Sequence, residues 1–184
     1  MKRIFMSCLL FLSLLGASEM AAAACPSGSA PNAAGVCTAC PAGYFGKDSG
    51  TICQPCPAGT WQRNPGQTNC STTDPGAYVP TPAATSQIAC AAGTYSASPS
   101  VFFPQNPNNG AVSCTACPAG SIAKGTGSAR CSPTDPGYYA ANTGMSAAVM
   151  CPNGHASITG SSSCTKMAPG CYALAANGAV CVNN

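Results

Sequence analysis

Acidic residues are nearly missing from this chain of 184 residues: Asp and Glu together number 4, and the only Glu, Glu19, falls in the N-terminal stretch. There is a single histidine, His155, and a single tryptophan, Trp61. Hydrolytic chemistry needs a nucleophile, a base beside it and a third group to hold that base. One His and a few isolated Asp residues do not supply such a set, and the reading excludes an enzyme. Beyond residue 24 the bases are Lys47, Arg63, Lys124, Arg130 and Lys166, and the acids are Asp48, Asp74 and Asp135, without a basic cluster. That excludes nucleic acid as a partner. Leu, Ile, Val and Phe are sparse in the same region, and its apolar content is mostly Ala and Cys. A chain of this length normally buries one sizeable core. Here there is little to bury, so other staples must hold the fold.

The one long apolar run is at the start, MKRIFMSCLLFLSLLGASEMAAAAC. Lys2 and Arg3 precede the apolar stretch Ile4 to Leu15, which is too short to span a bilayer, and Ala22 and Ala24 offer a small-x-small cleavage site. Residues 1–24 therefore read as a signal peptide with the cut near Ala24. No later stretch reaches membrane-span length, and the C-terminal GAVCVNN carries no anchor or sorting signal. The expected product has no membrane span after signal removal. It is secreted, periplasmic or at the cell surface.

Cysteine supplies what the core lacks. Of 15 cysteines, Cys8 lies in the apolar stretch, which leaves 14, an even number. They are Cys25, Cys37, Cys40, Cys53, Cys56, Cys70, Cys90, Cys114, Cys117, Cys131, Cys151, Cys164, Cys171 and Cys181. In an exported chain such a set reads as a disulfide framework. A lipid on Cys25 would instead want Leu where Ala22 stands, and would leave an odd number of thiols.

Two scales of repetition organise these cysteines. The short unit runs from Cys-Pro-x-Gly to a closing Cys, as in CPAGYFGKDSGTIC from Cys40 and CPAGTWQRNPGQTNC from Cys56. The long unit steps by 61 residues: Cys53 to Cys114, Cys56 to Cys117, Cys70 to Cys131, Cys90 to Cys151, and Asp74 to Asp135 with Pro, Gly and Tyr in the same register. In CPAG, Pro fits the second and Gly the fourth place of a type I turn. In TDPG at Asp74 and Asp135, Pro then Gly fits the middle of a type II turn. Gly66, Gly110, Gly127 and Gly160 each precede a closing Cys by four residues, where a bend with positive φ is expected. Phe45, Trp61, Tyr95 and Ile122 follow an opening Cys by five residues and are expected to cover a disulfide as a miniature core. No helical period appears after residue 24.

The predicted fold is small and disulfide-rich, an elongated tandem array of short β-hairpin and turn units with little regular secondary structure. The divisions expected are the signal peptide at 1–24, cysteine-rich repeats at 25–70, repeats at 71–131 with an enlarged loop at 90–114, and terminal repeats at 132–184. Short loops close most cheaply, so sequential pairing is expected: Cys25–Cys37, Cys40–Cys53, Cys56–Cys70, Cys90–Cys114, Cys117–Cys131, Cys151–Cys164 and Cys171–Cys181.

Strings such as CTACPAGYFGKDSGTICQPCPAGTWQRNPGQTNC resemble the ephrin-receptor-like cysteine-rich repeat of the GCC2/GCC3 type, a relative of the modules in tumour-necrosis-factor-receptor and growth-factor-receptor ectodomains. The resemblance is strongest from Cys37 to Cys70 and covers about half of the chain after the signal. It implies an extracellular, rod-like, EGF-like module that spaces or contacts other proteins and has no catalytic residues. It also brings a rival pairing, in which bonds cross over the CxxC junctions. The 20-residue steps Cys70 to Cys90 and Cys131 to Cys151, and the final CTKMAPGCYALAANGAVC, depart from the family pattern.

The same residues allow other chemistry. Cys37-x-x-Cys40 and Cys53-x-x-Cys56 approach zinc-ribbon spacing. CTAC and CQPC match a CxxC redox motif, but that motif needs a helix N-terminus in a βαβ unit, and none is readable. Behind a signal peptide, disulfides are the expected state, with no metal and no cofactor. Two features suggest a contact surface. Lys47, Arg63 and Lys124 recur seven residues after an opening Cys. Phe102 and Phe103 lie in the one enlarged loop, between Pro-rich flanks, where adjacent aromatics either plug a local core or project as an anchor. The functional expectation is a secreted, non-enzymatic interaction module with a protein or glycan partner. The alternatives are a structural spacer or coat component with no specific partner, and, in a different class, a zinc-binding or thiol-redox protein.

Overall fold

The computed structural model describes residues 24–47, 51–97, 110–174 and 178–181. These residues contain no helix and form eighteen short strands in nine two-stranded antiparallel sheets. Hairpin 1 pairs β1 (Ser29–Pro31) with β2 (Cys37–Ala39), hairpin 2 pairs β3 (Tyr44–Phe45) with β4 (Gln54–Pro55), and hairpin 3 pairs β5 (Thr60–Trp61) with β6 (Ser71–Thr72). Hairpin 4 pairs β7 (Ala77–Tyr78) with β8 (Ile88–Ala89), hairpin 5 pairs β9 (Thr94–Tyr95) with β10 (Thr115–Ala116), and hairpin 6 pairs β11 (Ser121–Ile122) with β12 (Ser132–Pro133). Hairpin 7 pairs β13 (Tyr138–Tyr139) with β14 (Val149–Met150), hairpin 8 pairs β15 (His155–Ala156) with β16 (Thr165–Lys166), and hairpin 9 pairs β17 (Cys171–Leu174) with β18 (Gly178–Cys181). The molecule is a small disulfide-rich tandem hairpin array.

Every hairpin is entered through the same turn. In hairpin 2 the Tyr44 amide donates to the Pro41 carbonyl at 3.1 Å, and in hairpin 4 the Ala77 amide donates to the Asp74 carbonyl at the same distance. Gly43 and Gly76 occupy the third place of these turns with φ of 82° and 83°, the left-handed value that a type II turn demands there. CPAG and TDPG are therefore one turn, framed one residue later in CPAG than the type I expectation. The opening residue stands outside the turn because its N–H is used elsewhere, in stacking.

That stacking is a repeated hydrogen-bond ladder. At the junction of hairpins 2 and 3, the opening Cys56 amide donates to the Gly43 carbonyl, and the Gly43 amide donates to the Gln62 carbonyl. The Gly46 amide donates to the Gln67 carbonyl, and the Gly66 amide returns to the Cys40 carbonyl. The same four bonds recur at the junctions 3/4, 5/6, 6/7 and 7/8. At 4/5 three of the four are present, and the Ala111 amide turns to Thr73 Oγ1 at 2.8 Å. A second tie skips one hairpin. A Cβ on Gly28, Gly43, Gly59, Gly76, Gly93 or Gly120 would overlap a backbone carbonyl oxygen two hairpins along, at Gly66, Ala83, Gly110, Gly127, Gly144 and Gly160 respectively. Each unit thus packs on its next and next-but-one neighbours, the arrangement of a stacked repeat protein.

Two stretches that depart from the cysteine pattern prove to be full members of the stack. Thr73 and Gln87 in hairpin 4, and Thr134 and Ala148 in hairpin 7, stand where neighbouring hairpins have an opening and a closing Cys. The Thr73 and Thr134 amides make the ladder bond to Gly59 and Gly120. The C-terminal departure joins in too: Met167 takes the opening place, its amide bonded to the Gly154 carbonyl, and Gly170 takes the turn with φ 78°.

The core is a thin column, not a set of aromatic clusters. Cys40, Cys56, Cys90 and Cys117 are 0% exposed, and Thr73 and Thr134 are buried in the same position. Beside them lies the residue three beyond the turn glycine of hairpins 2 to 8: Gly46, Gln62, Val79, Ser96, Ala123, Ala140 and Ser157 are all buried. Phe45, Trp61 and Tyr95, expected as miniature cores, are only half-buried, and Ile122 alone of that group is buried. Side chains alternate sides along a strand. The residue after each of these faces the neighbouring hairpin and is buried against its backbone whatever its size, from Gly46 to Gln62. Gly66, Gly127 and Gly160 have φ between 72° and 76° as expected, but Gly110 is not in the left-handed region. It is needed for space, since a Cβ there would meet the Thr73 backbone and hydroxyl.

Candidate contact surfaces

Six disulfides close hairpins: Cys25–Cys37, Cys40–Cys53, Cys56–Cys70, Cys90–Cys114, Cys117–Cys131 and Cys151–Cys164. All run from opening to closing Cys within one hairpin, and none crosses a CxxC junction. Cys171 is also disulfide-bonded, and the strand register sets Cys181 opposite it. Each of Cys37, Cys40, Cys53 and Cys56, the four residues of zinc-like spacing, is tied up in one of these bonds. Among the described residues no three or more His, Cys, Asp or Glu gather in a metal-holding group.

The stapled and unstapled hairpins differ in a consistent way at one cross-strand position. In stapled hairpins the residue after the closing Cys is polar and faces a larger or apolar partner: Thr38 with Ala30, Gln54 with Phe45, Ser71 with Trp61, Thr115 with Tyr95, Ser132 with Ile122 and Thr165 with Ala156. In hairpins 4 and 7 the pairs are Tyr78 with Ile88 and Tyr139 with Val149. A serine in the following hairpin then reaches back: Ser96 Oγ donates to the Ala77 carbonyl at 2.8 Å, and Ser157 Oγ donates to the Tyr138 carbonyl at 2.7 Å. Hairpin 4 has one further clasp, in which Gln87 Oε1 accepts from the Asp74 amide at 2.8 Å and Gln87 Nε2 donates to Asp74 Oδ2.

Among the described residues, Asp74, Asp135 and His155 are not gathered into one cluster. Asp74 and Asp135 sit in equivalent turns three hairpins apart, and Asp74 is engaged by Gln87. His155 lies on β15 opposite Lys166, half-buried, with Nδ1 3.3 Å from the Asn153 carbonyl. It is a strand residue because the position after the turn glycine always starts a strand here.

Lys47, Arg63 and Lys124 are exposed and occupy one repeat position, four residues past the turn glycines of hairpins 2, 3 and 6. The Arg63 guanidinium carbon lies 5.6 Å from the centre of the Trp61 ring, within cation–π range. Trp61 Nε1 is shielded from solvent and makes no hydrogen bond. Grooves open where hairpins meet. One of about 550 Å³ lies between hairpins 6 and 7, lined by Ile122, Lys124, Asp135 and Tyr138 among others. One of about 600 Å³ lies between hairpins 8 and 9, beside Ile158, Lys166 and Met167. A smaller one of about 160 Å³ lies between hairpins 2 and 3, beside Phe45 and Lys47. Exposed apolar side chains are scattered over the stack, with Met150 the most exposed at 66%.

Phe102 and Phe103 lie outside the described residues. Their hairpin is nonetheless framed: Cys90–Cys114 spans 24 residues, against 12 to 14 in the other five bridged hairpins. Despite the longer loop, hairpin 5 keeps its turn, its two strands, three of the four ladder bonds to hairpin 4 and all four to hairpin 6. Cysteine spacing marks neither hairpin 4 nor hairpin 7, and it marks hairpin 9 only through Cys171 and Cys181. The signal that finds them is a Gly three residues, and a Tyr five residues, after Thr73, Thr134 and Met167.

No protein-family profile matches this chain, and no curated protein matches it. No helix among the described residues is long and apolar enough to cross a membrane.

Proposed function

We propose that this chain is an exported, non-enzymatic contact protein, in which the hairpin stack is a frame and the enlarged loop of hairpin 5 is the contact element. The observation that carries this reading is the placement of the insertion. Ten extra residues enter one hairpin without disturbing its strands or its staple, and the one ladder bond it gives up, at the junction with hairpin 4, is replaced by a bond to Thr73 Oγ1. A rigid scaffold that displays a variable loop is a common arrangement for binding. The loop that receives the extra residues, SASPSVFFPQNPNNGAVS, holds the adjacent Phe102 and Phe103. An exposed pair of Phe invites aggregation unless a partner uses it. The resemblance to ephrin-receptor-like repeats supports the same reading, as do the disulfides, which belong to an oxidising compartment outside the cytosol. The partner class is protein or glycan.

The second reading, a spacer or coat component, is favoured by the sameness of the junction ladder along the stack. The two are separated by replacing Phe102 and Phe103 together with Ser. On the contact reading, the variant is exported, keeps its disulfide mass and loses at least about tenfold in binding to cell-surface or matrix preparations, the loss expected when a buried aromatic anchor is removed. Unchanged binding by a folded variant, or failure of the variant to fold, removes the contact reading and leaves the spacer.

A further inference from the structure

The pattern of staples determines how this molecule would respond to tension. When a stapled hairpin is pulled from its ends, force enters at the opening Cys and crosses the disulfide to the closing Cys. The loop between them carries no load, and only the three-residue step to the next opening Cys can straighten, as from Cys53 to Cys56. Hairpins 4 and 7 have no such bypass. From Cys70 to Cys90, and again from Cys131 to Cys151, every residue lies on the load path. What holds those stretches is the junction ladder, the Tyr–Ile or Tyr–Val pair and the serine reaching back from the next hairpin.

We propose that hairpins 4 and 7 are built-in extension points, and that the protein works as a rod that lengthens in two fixed increments while its disulfides remain intact. This goes beyond the contact reading above and does not depend on it. Two observations carry it together. The staple is missing from two internal hairpins, which are otherwise complete members of the stack. The same substitutions, Thr for the opening Cys and an apolar residue after the closing place, recur in both, 61 residues apart. Each increment has a ceiling set by chain geometry: 20 residues at about 3.3–3.6 Å each give roughly 70 Å.

The test is force extension of the full exported chain, held at its two ends under oxidising conditions. Two long events are expected, each releasing contour length no greater than roughly 70 Å. A shorter one is expected from the seven-residue step from Cys164 to Cys171. Thr73→Cys with Gln87→Cys adds a staple to hairpin 4 and should delete one long event. Thr134→Cys with Ala148→Cys should delete the other. Intact mass shows whether each bridge has formed. Should a bridge fail to form, Gln87→Ala serves instead, and it should lower the force of one long event without changing either length. Two long events that persist in a bridged variant overturn the proposal. So does an oxidised chain that yields no discrete long event, or a Gln87→Ala variant in which both forces are unchanged.

Discussion

Hairpin 3 is closed by Cys56–Cys70, whereas hairpin 4, one step along, has Thr73 and Gln87 at the same two places. Both have the turn with a left-handed glycine, the pair of two-residue strands and the full ladder at the junction they share. What changes is how the two arms are kept together. A disulfide around a loop of this size contributes roughly 3 kcal/mol in the chain-entropy model. A cross-strand Tyr–Ile pair contributes only about 0.2–1 kcal/mol, and Ile88 and Val149 are nearly half exposed, which keeps their pairs at the lower end. Hydrogen bonds from Gln87 and Ser96 add about 1 kcal/mol each. The stack therefore tolerates a missing staple where several weak contacts replace it, and the ladder supplies the geometry in either case. Hairpin 7 shows the same exchange with Ala148 in the place of Gln87, and so without the clasp.

The largest effect that can break the comparison is full reduction, which makes every hairpin resemble hairpin 7. With so thin a core, the reduced chain is expected to lose amide protection throughout. Protection that survives complete reduction would show that the ladder and small-residue column suffice alone. Next in size is Gly93→Ala. A Cβ there would overlap the Gly144 carbonyl, and φ of 85° disfavours any other residue. A loss of about 3 kcal/mol is expected, read as faster exchange in hairpins 5 and 7 together. A change confined to hairpin 5 would refute the next-but-one packing.

Two smaller changes sharpen the contrast within hairpin 4, with opposite signs. Gln87→Ala removes the clasp on Asp74 and should cost roughly 1–2 kcal/mol of local stability, bringing hairpin 4 toward hairpin 7. Ala83 is left-handed at φ 58°, where Gly66, Gly127, Gly144 and Gly160 stand in other hairpins. Such a conformation costs about 1–2 kcal/mol for a residue with a Cβ, part of which glycine would return as unfolded-state entropy. Ala83→Gly should therefore stabilise hairpin 4 by about 0.5–1 kcal/mol, and local exchange rates measure both variants.

The staples, the repeat and the absence of helix were legible from cysteine spacing, because loop closure is local and Gly and Pro mark turns in sequence. Hairpins 4 and 7, and the register in which hairpin 9 joins the stack, were hidden because Cys indexed the repeat, whereas the structure indexes it by the turn glycine: Gly76, Gly137 and Gly170 were visible but lacked a Cys three residues before. The buried column was not legible. Its inner position accepts Gly46, Gln62, Val79 and Ala123 alike, since what the site requires is closeness to the next backbone, not hydrophobicity. The aromatic residues at the preceding position carry the stronger hydrophobic signal in the sequence. Of the proposed contact residues, Lys47, Arg63 and Lys124 share one repeat position, as their spacing suggested.

Residue-resolved amide exchange on the oxidised protein tests the central claim most directly, namely that one ladder runs through stapled and unstapled hairpins alike. The amides to follow are Gly76, Val79, Gly137 and Ala140, each of which donates across a junction from an unstapled hairpin. The account predicts that they exchange at least about 100-fold more slowly than an unstructured peptide, though faster than Gly43 and Gly93 in their stapled neighbours. Exchange of those four amides at the unstructured rate, with Gly43 and Gly93 still protected, would contradict it and reduce the molecule to separate stapled blocks on linkers.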